Sequence, residues 1–214
     1  MSMKIRIPNT WKDIEISKFP LIYDIVRDSD IDENERNYRV LSILADVNVN
    51  DIKRIKLTDL KELVKKIEYV FKFEFPAYKE KFKHNKIYWQ VNFDVSNLNA
   101  EDFISLSKLT ENEDTIINNL PQIVAIFVKP YKYKWFKKVE LQMEYSEIVE
   151  KLKGVDVGTI YPIAVFFCSI TSDLLKNIED YLESQSQQVM KIMTETMSEQ
   201  KSKNTTNIGV GMLL

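Results

Sequence analysis

The chain opens on a short alternation, Lys4-Ile5-Arg6-Ile7, and then places Asn9 and Thr10 ahead of Trp11-Lys12-Asp13-Ile14. This pattern predicts an edge strand followed by a capped helical segment. Pro20 fits the first turn of a helix better than its middle, so the next helix is expected over about 18–28. Asp28-Ser29-Asp30-Ile31-Asp32 breaks the pattern. Beyond it Tyr38, Leu41, Leu44 and Ala45 recur at helical spacing as far as Asp46. Cap-like openings at Asn48 and Thr58 lead to a stripe of Leu60, Leu63, Val64, Ile67 and Phe71, with Lys61, Glu62, Lys65, Lys66 and Glu68 on the other side. Residues 9–72 therefore read as a small helical subdomain.

The period then drops from 3.6 to 2, because Ile87, Trp89, Val91, Phe93 and Val95 alternate with Tyr88, Gln90, Asn92 and Asp94. With His84-Asn85 as a polar turn, this predicts a β-hairpin over about 79–95 that buries Trp89, Val91 and Phe93 and turns Tyr88, Gln90 and Asn92 outward. Helical patterns return from the Asn99 cap, over Thr115–Phe127 with Pro121 kinking or splitting the run, and from Ser146 to Gly154. The longest is expected from Ile160 to Leu182, with Phe167, Ile170, Leu174, Leu175, Ile178 and Tyr181 in register. From Ser184 the chain turns polar and ends on an apolar stretch. The expected fold is mainly α with a β-hairpin (α+β): a compact helical domain over 1–183 and an extended tail over 184–214.

Composition narrows the chemistry. A length of 214 residues is enough to bury a core without metal or disulfide staples, and the lone Cys168 excludes an intramolecular disulfide and a cysteine-based zinc cluster. The formal net charge is -2, so bulk attraction to a polyanion is not expected and any nucleic-acid contact has to come from a local patch. The longest apolar run, Ile160 to Cys168, is far short of the ~20 residues that span a bilayer, and the N-terminus lacks the features of a signal peptide, so stable membrane insertion is not expected.

Enzymatic machinery is hard to assemble from these residues. The single histidine, His84, falls in an expected turn, and Cys168 lies in the apolar run Val165-Phe166-Phe167-Cys168. The four glycines, Gly154, Gly158, Gly209 and Gly211, form no phosphate-binding fingerprint. Asp28/Asp30/Asp32 and Glu111/Glu113/Asp114 lack the glycine and the terminal bidentate Glu of a calcium loop and read as acids near helix N-termini. No catalytic residue, metal or cofactor is expected.

Two stretches invite a binding role. In 129–138 lysines interleave with aromatics, and Lys132, Lys134, Trp135, Lys137 and Lys138 are candidates for weak nucleic-acid contact. The competing reading is a loop or edge strand whose aromatics cover the core while its lysines reach outward, and the absence of a second patch in the sequence favours it. In the tail, Met190, Met193 and Met197 recur at helical spacing and Ile208, Val210, Met212, Leu213 and Leu214 form an apolar end; these are the candidate partner-binding residues.

The order of several segments resembles a family of small proteins from the structural gene blocks of tailed phages of Bacteroidetes, tail-assembly-chaperone-like and also present in crAss-like phages. The segments are Trp11-Lys12-Asp13-Ile14, Leu57-Thr58-Asp59-Leu60, Tyr88 to Val95, Leu98 to Leu106, Ile117 to Ile123 and Tyr161 to Phe167. The resemblance covers about residues 10–183. It implies a non-enzymatic structural or assembly protein made in the bacterial host cytoplasm, a virion component or cargo protein that binds portal, tail or ring proteins. An ejected protein that contacts DNA or acts on membranes is the alternative.

Overall fold

The computed structural model describes residues 5–176 together with Asp180, Glu183 and Gln187. The chain divides into two compact units, Met1–Ser169 and Ile170–Leu214. The fold is mainly helical with one four-stranded antiparallel sheet. Its helices are α1 (Phe19–Arg27), α2 (Glu33–Ala45), α3 (Val49–Lys53), α4 (Leu57–Lys66), α5 (Glu68–Lys72), α6 (Ala100–Leu109), α7 (Glu113–Asn118), α8 (Leu120–Phe127), α9 (Tyr145–Leu152) and α10 (Val157–Lys176). The strands β1 (Lys81–His84), β2 (Ile87–Val91), β3 (Val128–Lys134) and β4 (Lys137–Glu140) lie side by side in chain order.

Local signals explain most helix starts. The side chains of Asp32, Asn48, Asn99 and Asn112 accept from backbone N–H groups at the heads of α2, α3, α6 and α7, which satisfies donors that have no partner inside the helix. Thr10 and Asp13 form a capping box, but around a single 3-10 turn rather than a full helix. Pro121 occupies the first turn of α8, so the expected 115–127 helix is split at Asn119 into α7 and α8.

The opening residues depart from expectation, since 5–9 form no strand. The chain instead pairs a little later: Ile16 N–H donates to Val155 O at 2.8 Å and Val157 N–H to Ile14 O at 2.8 Å, around an isolated bridge between Glu15 and Asp156. This ties the N-terminal segment to the start of α10. Against it Trp11 meets Tyr69 edge-on, stacks on Phe73, lies tilted against Phe75, and shares Phe19 with Tyr161.

The first hairpin forms close to where it was expected, with a shorter second strand. Asn85 and Lys86 take φ of 47° and 65°, the two-residue primed turn that matches strand twist; His84 is the last strand residue rather than part of the turn. Trp89 and Val91 are buried, whereas Phe93 lies beyond the strand, half-buried against Phe166 and Phe167. Tyr88 and Gln90 are half-covered because β3 lies beside them.

Helix α10 reaches further than its densest apolar run implies. Ser169, Thr171 and Ser172 carry no charge, so Val157–Lys176 is long and apolar enough to cross a membrane by length and composition, with a mean hydropathy of 1.4. Ile160, Ile163, Ala164 and Phe167 form its buried face, and Phe127 stacks parallel on Phe167 at 3.4 Å. Leu175, expected to face inward, is exposed. Ile178, Tyr181 and Leu182 lie outside the described residues.

Helices α1 and α7 are joined by a polar cluster in which Tyr23 donates to Glu113 and Arg27 holds both Glu113 oxygens at 2.8 Å. Burial and the Glu113 hydrogen bond push the Tyr23 hydroxyl up to about 12, and burial pushes the Cys168 thiol up to about 11. Both groups are raised relative to the unfolded chain. Their contribution is complete below the ordinary values of 9.0 and 10.0 and is lost as pH climbs through the folded ones. Urea midpoints should therefore fall between pH 9.0 and about 12, and Tyr23→Phe should flatten the upper part of that decline. An unchanged slope in the variant would remove Tyr23 from the linkage. Glu113 has the opposite sign: the Tyr23 hydroxyl lowers its carboxyl, so its contribution holds above the ordinary carboxylate range and is lost in acid.

Candidate functional site

The lysine and aromatic segment forms a second hairpin, β3–β4, where a loop or edge strand was the favoured reading. Its turn is Trp135-Phe136. Both residues lie in the left-handed region, at φ of 50° and 64°, with Lys134 opposite Lys137 closing the turn. This is the backbone geometry of the Asn85-Lys86 turn, but here bulky aromatics occupy positions that Asn and Gly adopt with least strain. Trp135 is 87% exposed and Phe136 100% exposed.

Pairing of β2 with β3 stops at Tyr88↔Tyr131. Residues 132–134 therefore run past β2, paired only with β4, and carry the aromatic turn beyond the rest of the sheet. Tyr133, Lys134, Trp135 and Phe136 frame a shallow open concavity there. The position combines strain, exposure and projection at one point.

Strand alternation separates the five candidate nucleic-acid residues. Lys132, opposite Val139, and the Lys134–Lys137 pair fall on one face of the hairpin, whereas Lys138, opposite Tyr133, falls on the other. Trp135 sits at the tip. Contiguity in sequence thus does not make one phosphate track. The face that carries Lys138 also carries Lys83 from β1, which sequence reasoning did not connect to it. The candidate partner residues Met190, Met193, Met197, Ile208, Val210, Met212, Leu213 and Leu214 lie outside the described residues.

Other polar groups are occupied in holding the fold. His84 is half-buried rather than a solvated turn residue, and a Cβ on Gly154 would stand 3.2 Å from its Nε2, close enough that the ring would have to shift by a few tenths of an ångström. Cys168 is half-buried, and its raised value keeps the thiol protonated near neutrality. Asp32 caps α2, and Asp28 accepts from the Asp30 N–H. A cleft of about 720 Å³ is lined by Arg6, Asp13, Glu15, Lys18 and Asp46 among others. Its Lys18 and Asp46 are paired at 2.6 Å, and Asp13 accepts from Thr10 and the Asn9 N–H. Among the described residues no three His, Cys, Asp or Glu side chains gather as a metal cluster. Compared with protein-family models, with curated proteins and with solved structures, the chain matches none of them.

Proposed function

We propose that the chain is a non-enzymatic structural or assembly protein of a tailed phage, a virion component or cargo protein of the portal and tail region, and that it docks on another virion protein through the β3–β4 tip. The observation that carries the docking role is the Trp135-Phe136 turn. A left-handed backbone costs an L-residue about 1–2 kcal/mol, and full exposure returns nothing for it within the isolated chain. Burial of the two rings in a partner pocket would return it, because aromatic anchors dominate interface energetics and each buries roughly 150–250 Å². The phage setting rests on the family resemblance. The apolar chain end, 208–214, is a second contact in this proposal.

Complementation tests it. A phage lacking this gene is supplied with the intact chain, with a form truncated after Leu182, or with one carrying Trp135→Asn and Phe136→Gly, and purified virions are analysed by mass spectrometry. The intact protein should be present, while the tip variant and the truncated form should be depleted. Normal incorporation of the tip variant would remove the hairpin from the interface, and absence of the intact chain from virions would point to a transient chaperone. A second reading, contact with DNA, draws on the lysines, of which only Lys138 shares a face with lysines of another strand pair.

A further inference from the structure

Strand register decides which lysines stand together. Lys83, Tyr88, Tyr131 and Glu140 lie opposite one another across all four strands. Lys81, Gln90 and Lys129 form the adjoining row on one side, and Tyr133 and Lys138 the row on the other. Directly paired residues, and residues two apart along a strand, project to the same face. The ring contacts agree: Tyr88 stacks on Tyr131 at 5.5 Å, and Tyr133 meets them edge-on at 5.2 and 5.7 Å. Lys83 Nζ lies 4.9 Å from the Tyr88 ring centre and Lys138 Nζ 4.3 Å from that of Tyr131. Trp89, Val91, Val128 and Pro130 occupy the opposite, buried face.

This outer face holds Lys81, Lys83, Lys129 and Lys138 against the single Glu140, in a chain whose net charge is -2. The ion pairs among the described residues involve none of these lysines. Lysines on β1 and β4 serve to keep an open sheet edge from pairing with other chains, and Lys129, opposite Gln90, adds a fourth charge to the same face from β3. The positive charge is therefore concentrated and, among the described residues, left without an ion-paired carboxylate. Between the lysines, Tyr133 is 57% exposed, so an aromatic ring is accessible within the charged field.

We propose that the outer face of the sheet binds single-stranded nucleic acid, with Lys81, Lys83, Lys129 and Lys138 taking phosphates and Tyr133, braced by Tyr88 and Tyr131, stacking an unpaired base. Duplex DNA keeps its bases stacked on one another and offers the tyrosine nothing, whereas a single strand presents both phosphates and base faces. The surface touches the Trp135-Phe136 tip at Tyr133, but the tip substitutions leave Tyr133 and the four lysines in place, so the docking role and this one fail independently.

Fluorescence anisotropy of a labelled oligo-dT with the full chain tests the proposal. If four phosphates are engaged, log K should fall against log salt with a slope of about -2.8. Changing Lys81, Lys83, Lys129 and Lys138 together to Gln should weaken binding by about 100-fold at low salt and remove most of that slope. Tyr133→Ala should weaken it about 10-fold while leaving the slope in place. Thermal melts should show both variants cooperatively folded, with a small downward shift for Tyr133→Ala, whose ring helps to cover Tyr131. The Trp135→Asn, Phe136→Gly form should bind oligo-dT like the parent. No binding by the parent, undiminished binding by the lysine variant, loss of binding in the tip variant, or duplex binding as tight as oligo-dT and insensitive to Tyr133→Ala would each overturn the proposal.

Discussion

Trp89→Ala is expected to lower the unfolding free energy by about 3–5 kcal/mol, the range for truncating a fully buried large aromatic. Trp89 is 0% exposed at the middle of β2, an inner strand. Phe82 stacks on it from β1 at 6.0 Å, and Pro130 lies opposite on β3. The indole therefore bridges the two hairpins on the buried face. Among the described residues its Nε1 has no hydrogen-bond partner, so truncation breaks no polar bond there; the loss is burial and packing, and the void cannot collapse without moving a strand. The measurement is a urea titration, in which the midpoint should fall with little change of slope. An unchanged midpoint would take Trp89 out of the core. Because β2 links β1 to β3, a truncation that also loosened the outer-face rows would weaken oligo-dT binding through the fold, so the lysine and tyrosine variants are needed to separate the two effects.

The Trp135→Asn, Phe136→Gly double substitution is expected to do the reverse, raising stability while abolishing docking. Asn-Gly is the preferred pair for a turn with positive φ at both central positions, and relief of two left-handed aromatic residues should contribute about 1–3 kcal/mol. Neither ring is covered by the described residues, so little burial is forfeited in exchange. Stability and function then move in opposite directions, the signature of a strained segment kept for binding. A rise in the urea midpoint together with depletion from virions is the expected pair of results. A fall in the midpoint would mean that the aromatics pack on their own chain, and normal incorporation would move the interface away from the hairpin tip.

Much of the fold is legible in short stretches. The caps at Thr10, Asp32, Asn48 and Asn99, the start of α1 near Pro20, the split near Pro121 and the strand Ile87–Val91 all follow from interactions within a few residues, and local bonds and side-chain periodicity carry that information without reference to the rest of the chain. The mainly helical class with a β component follows as well. The second hairpin was hidden for two reasons. Its turn lacks Gly and Asn, and its burial does not alternate, because Tyr131 is covered on the outer face by Tyr88 and Tyr133. The failed N-terminal strand is the same lesson from the other side, since residues 4–7 alternate in sequence but the chain pairs instead through Ile14 and Ile16 with Val155 and Val157, far along the sequence.

The candidate surfaces divide along the same line. Lysines and aromatics over 129–138 are visible as composition, yet composition assigns no side chain to a face. The pairing of β2 with β3 brings Lys81 and Lys83 onto one surface with Lys129 and Lys138, and its early end leaves Trp135 and Phe136 projecting. Residue types, periods and caps are properties of neighbours along the chain; shared faces and overhangs arise from strand register between segments some forty residues apart, which is settled by burying Trp89, Val91 and Val128 together in one core.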